Sequence, residues 1–159
     1  MLRLWLARHS EAVDPDGATT DFERRLTEAG RRRFGELVGW IMQREEPPEL
    51  ILHSPLVRAR QTAEIAAELI GIEIVTIRVE NRLAPGIDTD ELLKHLSDTM
   101  AERVLCVGHQ PDMSHCLAEM LGGGHIQYFP GTVACVDFPG PIIRSGATLR
   151  WLAAPQWFD

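Results

Sequence analysis

No apolar run in this chain of 159 residues approaches the ~20 that a membrane-spanning helix needs. Near the start, Arg3 interrupts a stretch too short for a signal peptide, so a cytoplasmic location is expected. Cysteine is scarce and odd in number: Cys106, Cys116 and Cys135 suit reduced thiols better than a disulfide frame. Positive charge is not in excess either. With 16 Lys+Arg against 23 Asp+Glu the formal net charge is −7, which argues against nucleic-acid or membrane partners. Lys94 is the single lysine, a bias of composition to which no function is attached. Repeats, low-complexity tracts and linkers are all missing. The length suits one domain spanning residues 1–159, able to bury about two-thirds of its unfolded surface.

What is present alternates between strand and helix. LRLWLA (2–7) is apolar enough for a strand covered on both faces. Thr27 can cap a helix to about Arg44, with Phe34, Leu37, Val38 and Ile41 on one buried face. The prolines of REEPPE end it. LILH (50–53) is the next strand. Ser54-Pro55 then reads as an N-cap with proline at the first helical position, and that helix ends at a left-handed Gly71. A third strand is expected at IEIVTI (72–77) and a third helix from Thr89 to about Ala101, burying Leu92, Leu93, Leu96 and Met100. RVLCVG (103–108) is a fourth strand, and Pro111 opens a helix that ends in the Gly122–Gly124 run. TVACVDF (132–138) and ATLRWLA (147–153) have no helix between them and should pair antiparallel. The expected class is α/β: a three-layer α/β/α sandwich, mostly parallel, with an antiparallel C-terminal addition.

In such sheets ligands bind beyond the carboxyl ends of the strands. Three of those ends deliver basic or titratable groups: Arg8-His9 after the first, Arg58 after the second and His109 after the fourth. Singly, each has an ordinary alternative, a solvated arginine or a hydrogen-bonded structural histidine. Arg58 falls in the first turn of its helix, where the dipole disfavours a cation unless an anion joins it. Arg60 points to another side of the helix and is read as surface. His53, His95, His115 and His125 lie outside the pattern. Cys106, His109, His115 and Cys116 are close in sequence, but a zinc signature needs a second matching half, so no metal is expected.

ARHSEA, SPLVRARQTA and VGHQP, in that order, resemble the motifs of the histidine phosphatase superfamily, with its phosphoglycerate-mutase-like fold. The short length, RRLTEAG (24–30), RLAPG (82–86) and the two-strand tail resemble its small SixA-type phosphohistidine phosphatases. The likeness covers nearly the whole chain. It implies that His9 is the nucleophile, while Arg8, Arg58 and His109 form the phosphate pocket. Phosphoryl transfer is mostly positioning and electrostatic stabilisation, which forked guanidinium donors supply. A neutral His9 would attack phosphorus and give a phosphohistidine that water hydrolyses. His109, protonated with phosphate bound, would add a donor. No cofactor is implied. Ser10 follows the RH pair and brings a hydroxyl near the phosphate; Arg24 matches an arginine of the branch's RPLT segment and would line the entrance.

Where larger members carry a carboxylate general acid after a leucine, this chain has Leu83-Ala84-Pro85-Gly86. Glu11, Glu80 and Asp88 are the substitutes nearby, and spacing selects none of them. The missing acid again resembles the SixA-type branch, whose leaving group is an imidazole. The implied partner is a phosphorylated protein domain or a small phosphorylated substrate. Two other readings stand beside this one: a small-molecule phosphomonoesterase and a non-catalytic phosphoprotein-binding module.

Overall fold

The computed structural model describes residues 1–158. Six strands form one sheet: β1 (Leu2–Arg8), β2 (Leu50–His53), β3 (Thr76–Val79), β4 (Arg103–Gly108), β5 (Val133–Phe138) and β6 (Thr148–Ala153). Their order is β3-β2-β4-β1-β5-β6. The first four run parallel, while β5 and β6 join antiparallel at the β1 side. Four helices cover the sheet: α1 (Glu28–Met42), α2 (Val57–Ile70), α3 (Thr89–Asp98) and α4 (Asp112–Leu121). No helix among the described residues is long and apolar enough to cross a membrane.

Side chains alternate across a strand, and this splits the core in two. Leu4 and Leu6 of β1 and Val104 and Cys106 of β4 pack with α3 and α4, against Leu92, Leu96, Met113 and Leu117. Trp5, Ala7, Leu105 and Val107 face the other way, onto α1 and α2. There α1 offers the expected face of Phe34, Leu37, Val38 and Ile41. The α2 side is lined by Ala59, Ala63, Ala66 and Ala67, whose small side chains let that helix lie close to the sheet. β1 and β4 are therefore apolar on both faces, as central parallel strands must be.

Three expected boundaries move. β3 begins at Thr76, not residue 72, because turns closed by Gly71 (Ile74 and Val75 both donate to its carbonyl) take up the residues before it. All four β3 residues are exposed at the sheet edge, so the strand carries no buried stripe to mark it. α3 stops at Asp98, and Met100 is 96% exposed instead of buried. α2 begins at Val57 with Leu56 as its cap, so Ser54 lies outside the helix. Gly71 does end α2 at positive φ (112°), though with ψ of 111° it is not in the left-handed helical region.

One close approach joins the first strand to the first helix. Gly30, in the first turn of α1, lies so near Glu11 that a Cβ there would overlap the Glu11 carbonyl. The Ser10 hydroxyl donates to the Gly30 carbonyl at 2.8 Å, and Thr27 caps α1 by accepting from the Gly30 amide at 2.9 Å. Gly30→Ala should destabilise the fold by about 1–3 kcal/mol, the usual cost of overpacking. That outweighs the ~1 kcal/mol normally gained by alanine in a helix. A urea midpoint that rises in the variant would show the contact to be slack.

Candidate active site

Parallel pairing sets the geometry. Arg8 of β1 stands opposite Gly108 of β4, and the His9 amide extends the ladder by donating to the Gly108 carbonyl at 2.9 Å. His9 and His109 therefore leave adjacent strand ends side by side, with ring centroids 5.2 Å apart and planes tilted by 55°. His9 continues the odd-numbered face of β1 toward α2, from which Arg58 donates through Nε to His9 Nε2 at 3.2 Å. Arg8 continues the even-numbered face, where its Nη1 donates to the Tyr128 carbonyl at 3.1 Å. The two arginines reach the same edge from opposite sides of the sheet. Arg8 Nε and His109 Nδ1 are both buried without a hydrogen-bond partner among the described residues.

The tautomer of His9 follows from its partners. Its Nδ1 lies 2.7 Å from the Ser10 carbonyl, an oxygen that can only accept, so Nδ1 carries the proton. Nε2 is left with a lone pair, to which Arg58 donates. Burial pushes the His9 pKa down to about 3, with the neighbouring His109, Arg58 and Arg8 adding to the effect. His109 is held down to about 4, mainly by burial and then by Arg58. Both rings are neutral at ordinary pH. His109 Nε2 and the Ser54 Oγ lie 2.7 Å apart, and Ser54 also accepts from the Leu56 amide. Ser54 thus orients His109 instead of capping α2.

Arg58 is only 5% exposed, and both its Nη atoms donate to one residue. Nη1 donates to the backbone carbonyl of Asp21 at 2.7 Å and Nη2 to its carboxylate at 3.2 Å. Asp21 belongs to a 3-10 turn, Asp21–Glu23, in the loop between β1 and α1. Arg24 donates to the same carboxylate at 2.9 Å and to the Val13 carbonyl at 3.0 Å. Arg24 therefore reaches the site through Asp21. These hydrogen bonds hold the Asp21 carboxyl below its usual pKa, Arg24 contributing most.

Ser10 is buried beside His9, its hydroxyl given to Gly30 and its amide donating to the Thr62 hydroxyl at 3.0 Å. In this structure it fastens the end of β1 to both α1 and α2. The three carboxylates considered as acids all serve local structure. Glu11 binds Thr27 and Arg33. Glu80 binds Arg82 and His95. Asp88 caps α3 through the amides of Asp90 and Glu91. Arg60 is exposed and pairs with Glu64. Among the described residues no group of three or more His, Cys, Asp or Glu is arranged to hold a metal ion. Cys116 Sγ instead lies 3.2 Å from the Thr89 hydroxyl. Asp21 and Ser54 were not found from sequence: a loop aspartate has no periodicity, and Ser-Pro before a helix looks like a cap.

A mostly parallel sheet with two histidines and two arginines gathered beyond its strand ends is the architecture of a histidine-type phosphatase, and the chain belongs to that family. Residues 4–85 match the model of the histidine phosphatase superfamily (branch 1). An uncharacterized protein of Picosynechococcus sp. is 36% identical over 116 residues, covering 70% of this chain and 68% of that one. Among solved structures, the protein histidine phosphatase SixA complexed with tungstate superposes with a TM-score of 0.85 at 24% identity, covering 99% of this chain and 100% of that one. The alpha-ribazole phosphatase of Shigella flexneri follows the same fold, with a TM-score of 0.72, 19% identity and 97% of each chain covered. The fold is thus SixA-like and phosphoglycerate-mutase-like.

The two depressed histidines make stability depend on pH in a defined window. The unfolded chain, with ordinary values near 6.5, takes up protons that the folded chain refuses until about pH 4 at His109 and about pH 3 at His9. Their contribution is fully favourable above pH 6.5 and declines as pH falls below it. The urea midpoint should fall as pH drops from 6.5 toward 3, and His9→Asn should make that fall shallower. An unchanged slope in the variant would mean that His9 titrates normally in the fold.

Proposed function

We propose that the protein removes phosphate from phosphohistidine in a protein, using His9 as the nucleophile and passing through a phospho-His9 intermediate. The observation that carries this reading is the state of His9: neutral, with its proton held on Nδ1 by the Ser10 carbonyl and its Nε2 lone pair facing an arginine. A module that only bound phosphate would gain nothing from a neutral imidazole so oriented. Arg8, Arg58 and His109 are the phosphate pocket. The unpartnered Arg8 Nε and His109 Nδ1 are buried polar atoms of the kind a bound phosphoryl group satisfies. Once His9 Nε2 bonds to phosphorus it no longer accepts from Arg58, and that N–H turns to a phosphoryl oxygen. Charge-assisted bonds of this kind are worth ~1.5–3 kcal/mol each.

Preference for a nitrogen–phosphorus bond follows from the acids on hand. An alkoxide leaving group needs a proton in the transition state, and general-acid help is typically worth 10²–10⁴-fold. The carboxylate touching Arg58 belongs to Asp21, and two arginines keep it ionised. A phosphorylated imidazole leaves as a much weaker base and needs no such help. The protein should therefore hydrolyse phosphohistidine far faster than a sugar phosphate, with activated aryl esters between, and His9→Ala should lose all these activities. A sugar phosphate cleaved as efficiently as phosphohistidine would replace this reading by the small-molecule phosphomonoesterase.

A further inference from the structure

The phospho-His9 intermediate must be hydrolysed by water, and a group has to take the water's proton. Glu11, Glu80 and Asp88 are bound up in Thr27 and Arg33, in Arg82 and His95, and in the cap of α3. Asp21 stands elsewhere. Its carboxylate contacts the same guanidinium that contacts the nucleophilic nitrogen, so a single planar group separates it from His9 Nε2. Its side chain is 64% exposed, open to the solvent from which the attacking water comes. Asp21 also bears electrostatically on His109, raising its pKa while Arg58 lowers it.

The turn that carries Asp21 is built, not loose. Asp16 accepts from the Ala18 and Thr19 amides, and Thr20 caps the turn with Glu23 returning to the Thr20 amide. Further on, the Leu26 amide donates to Gln61 of α2 at 2.8 Å, and the Val13 amide to the Arg25 carbonyl. The far end of the loop is thus fastened to α2, which carries Arg58, and the Val13 bond ties its two ends together.

We propose that Asp21 is the general base of dephosphorylation. This rests on the reading of His9 as nucleophile. In that step the oxygen of water forms a bond to phosphorus while the bond between phosphorus and His9 Nε2 breaks. The electron pair returns to Nε2, and the proton from water passes to the Asp21 carboxylate. Hydrogen phosphate departs, and the protonated carboxyl returns its proton to solvent. His9 keeps its Nδ1 proton on the Ser10 carbonyl throughout. The same arrangement explains why the base is no use as an acid in the first step: Arg24 and Arg58 keep it deprotonated. A neutral imidazole leaving group makes no demand on it.

Rapid-quench kinetics with a phosphohistidine substrate separate the two steps. Asp21→Asn should form phospho-His9 within a few-fold of the wild-type rate but hydrolyse it about 10²–10⁴-fold more slowly. The phosphoenzyme then accumulates in the steady state, and Asp21→Glu, with its melting temperature checked alongside, should recover part of the second rate. Hydrolysis of phospho-His9 by Asp21→Asn at the wild-type rate overturns the inference while leaving the phosphatase reading intact. Equal slowing of both steps also overturns it, because Asp21 would then only steady Arg58. A wild-type protein that forms no phosphoenzyme on His9 overturns both.

Discussion

The hydrogen bond from His9 Nδ1 to the Ser10 carbonyl decides what this site can do. It consumes the one proton of the ring, aims the bare Nε2 at Arg58 and removes the choice of tautomer. Everything around it keeps that bond in place. The Ser10 amide is held by Thr62 on α2 and its hydroxyl by Gly30 on α1, so both helices on that face of the sheet grip the residue next to His9. The close approach of Gly30 to Glu11 is part of the same clamp. A site of two strand-end histidines, one strand arginine and one helix arginine is in this way fixed by regular elements, and phosphoryl transfer rests on such positioning.

Burying cations together is costly, and the fold offsets that cost locally. Arg58 is buried near the start of α2, where the helix dipole opposes a cation. Asp21 supplies the compensating carboxylate and carbonyl. Arg8 is partly relieved by the Tyr128 carbonyl, and Tyr128 itself is fixed by donating its hydroxyl to the Leu6 carbonyl of β1. The histidines are kept neutral by the same burial and the same arginines. Positive charge thus lies in the two guanidiniums, the groups proposed to stabilise a phosphoryl group, and not in the imidazole proposed to attack it.

Much of this was legible in the residues. β1, β2 and β4 are apolar runs with no competing reading, and the face of α1 is marked by strict helical spacing. His9, Arg58 and His109 could be placed at one edge because the parallel order of the strands follows from the helices between them. β3 departs from its expected bounds because an exposed edge strand has no buried stripe to set its phase. Met100 fits the helical spacing yet is exposed, because Thr99 turns the chain before it, its amide closing on Leu96. Ser54 and Asp21 act through contacts with residues 55 and 37 positions away, and no local pattern reports such distances.

The central claim is that Nδ1 keeps its proton and Nε2 attacks. The most direct measurement is NMR of the ¹⁵N-histidine-labelled protein quenched during turnover, which identifies the ring nitrogen bonded to phosphorus. The account predicts phosphorus on Nε2 of His9. Phosphorus on Nδ1, or on another residue, would contradict it.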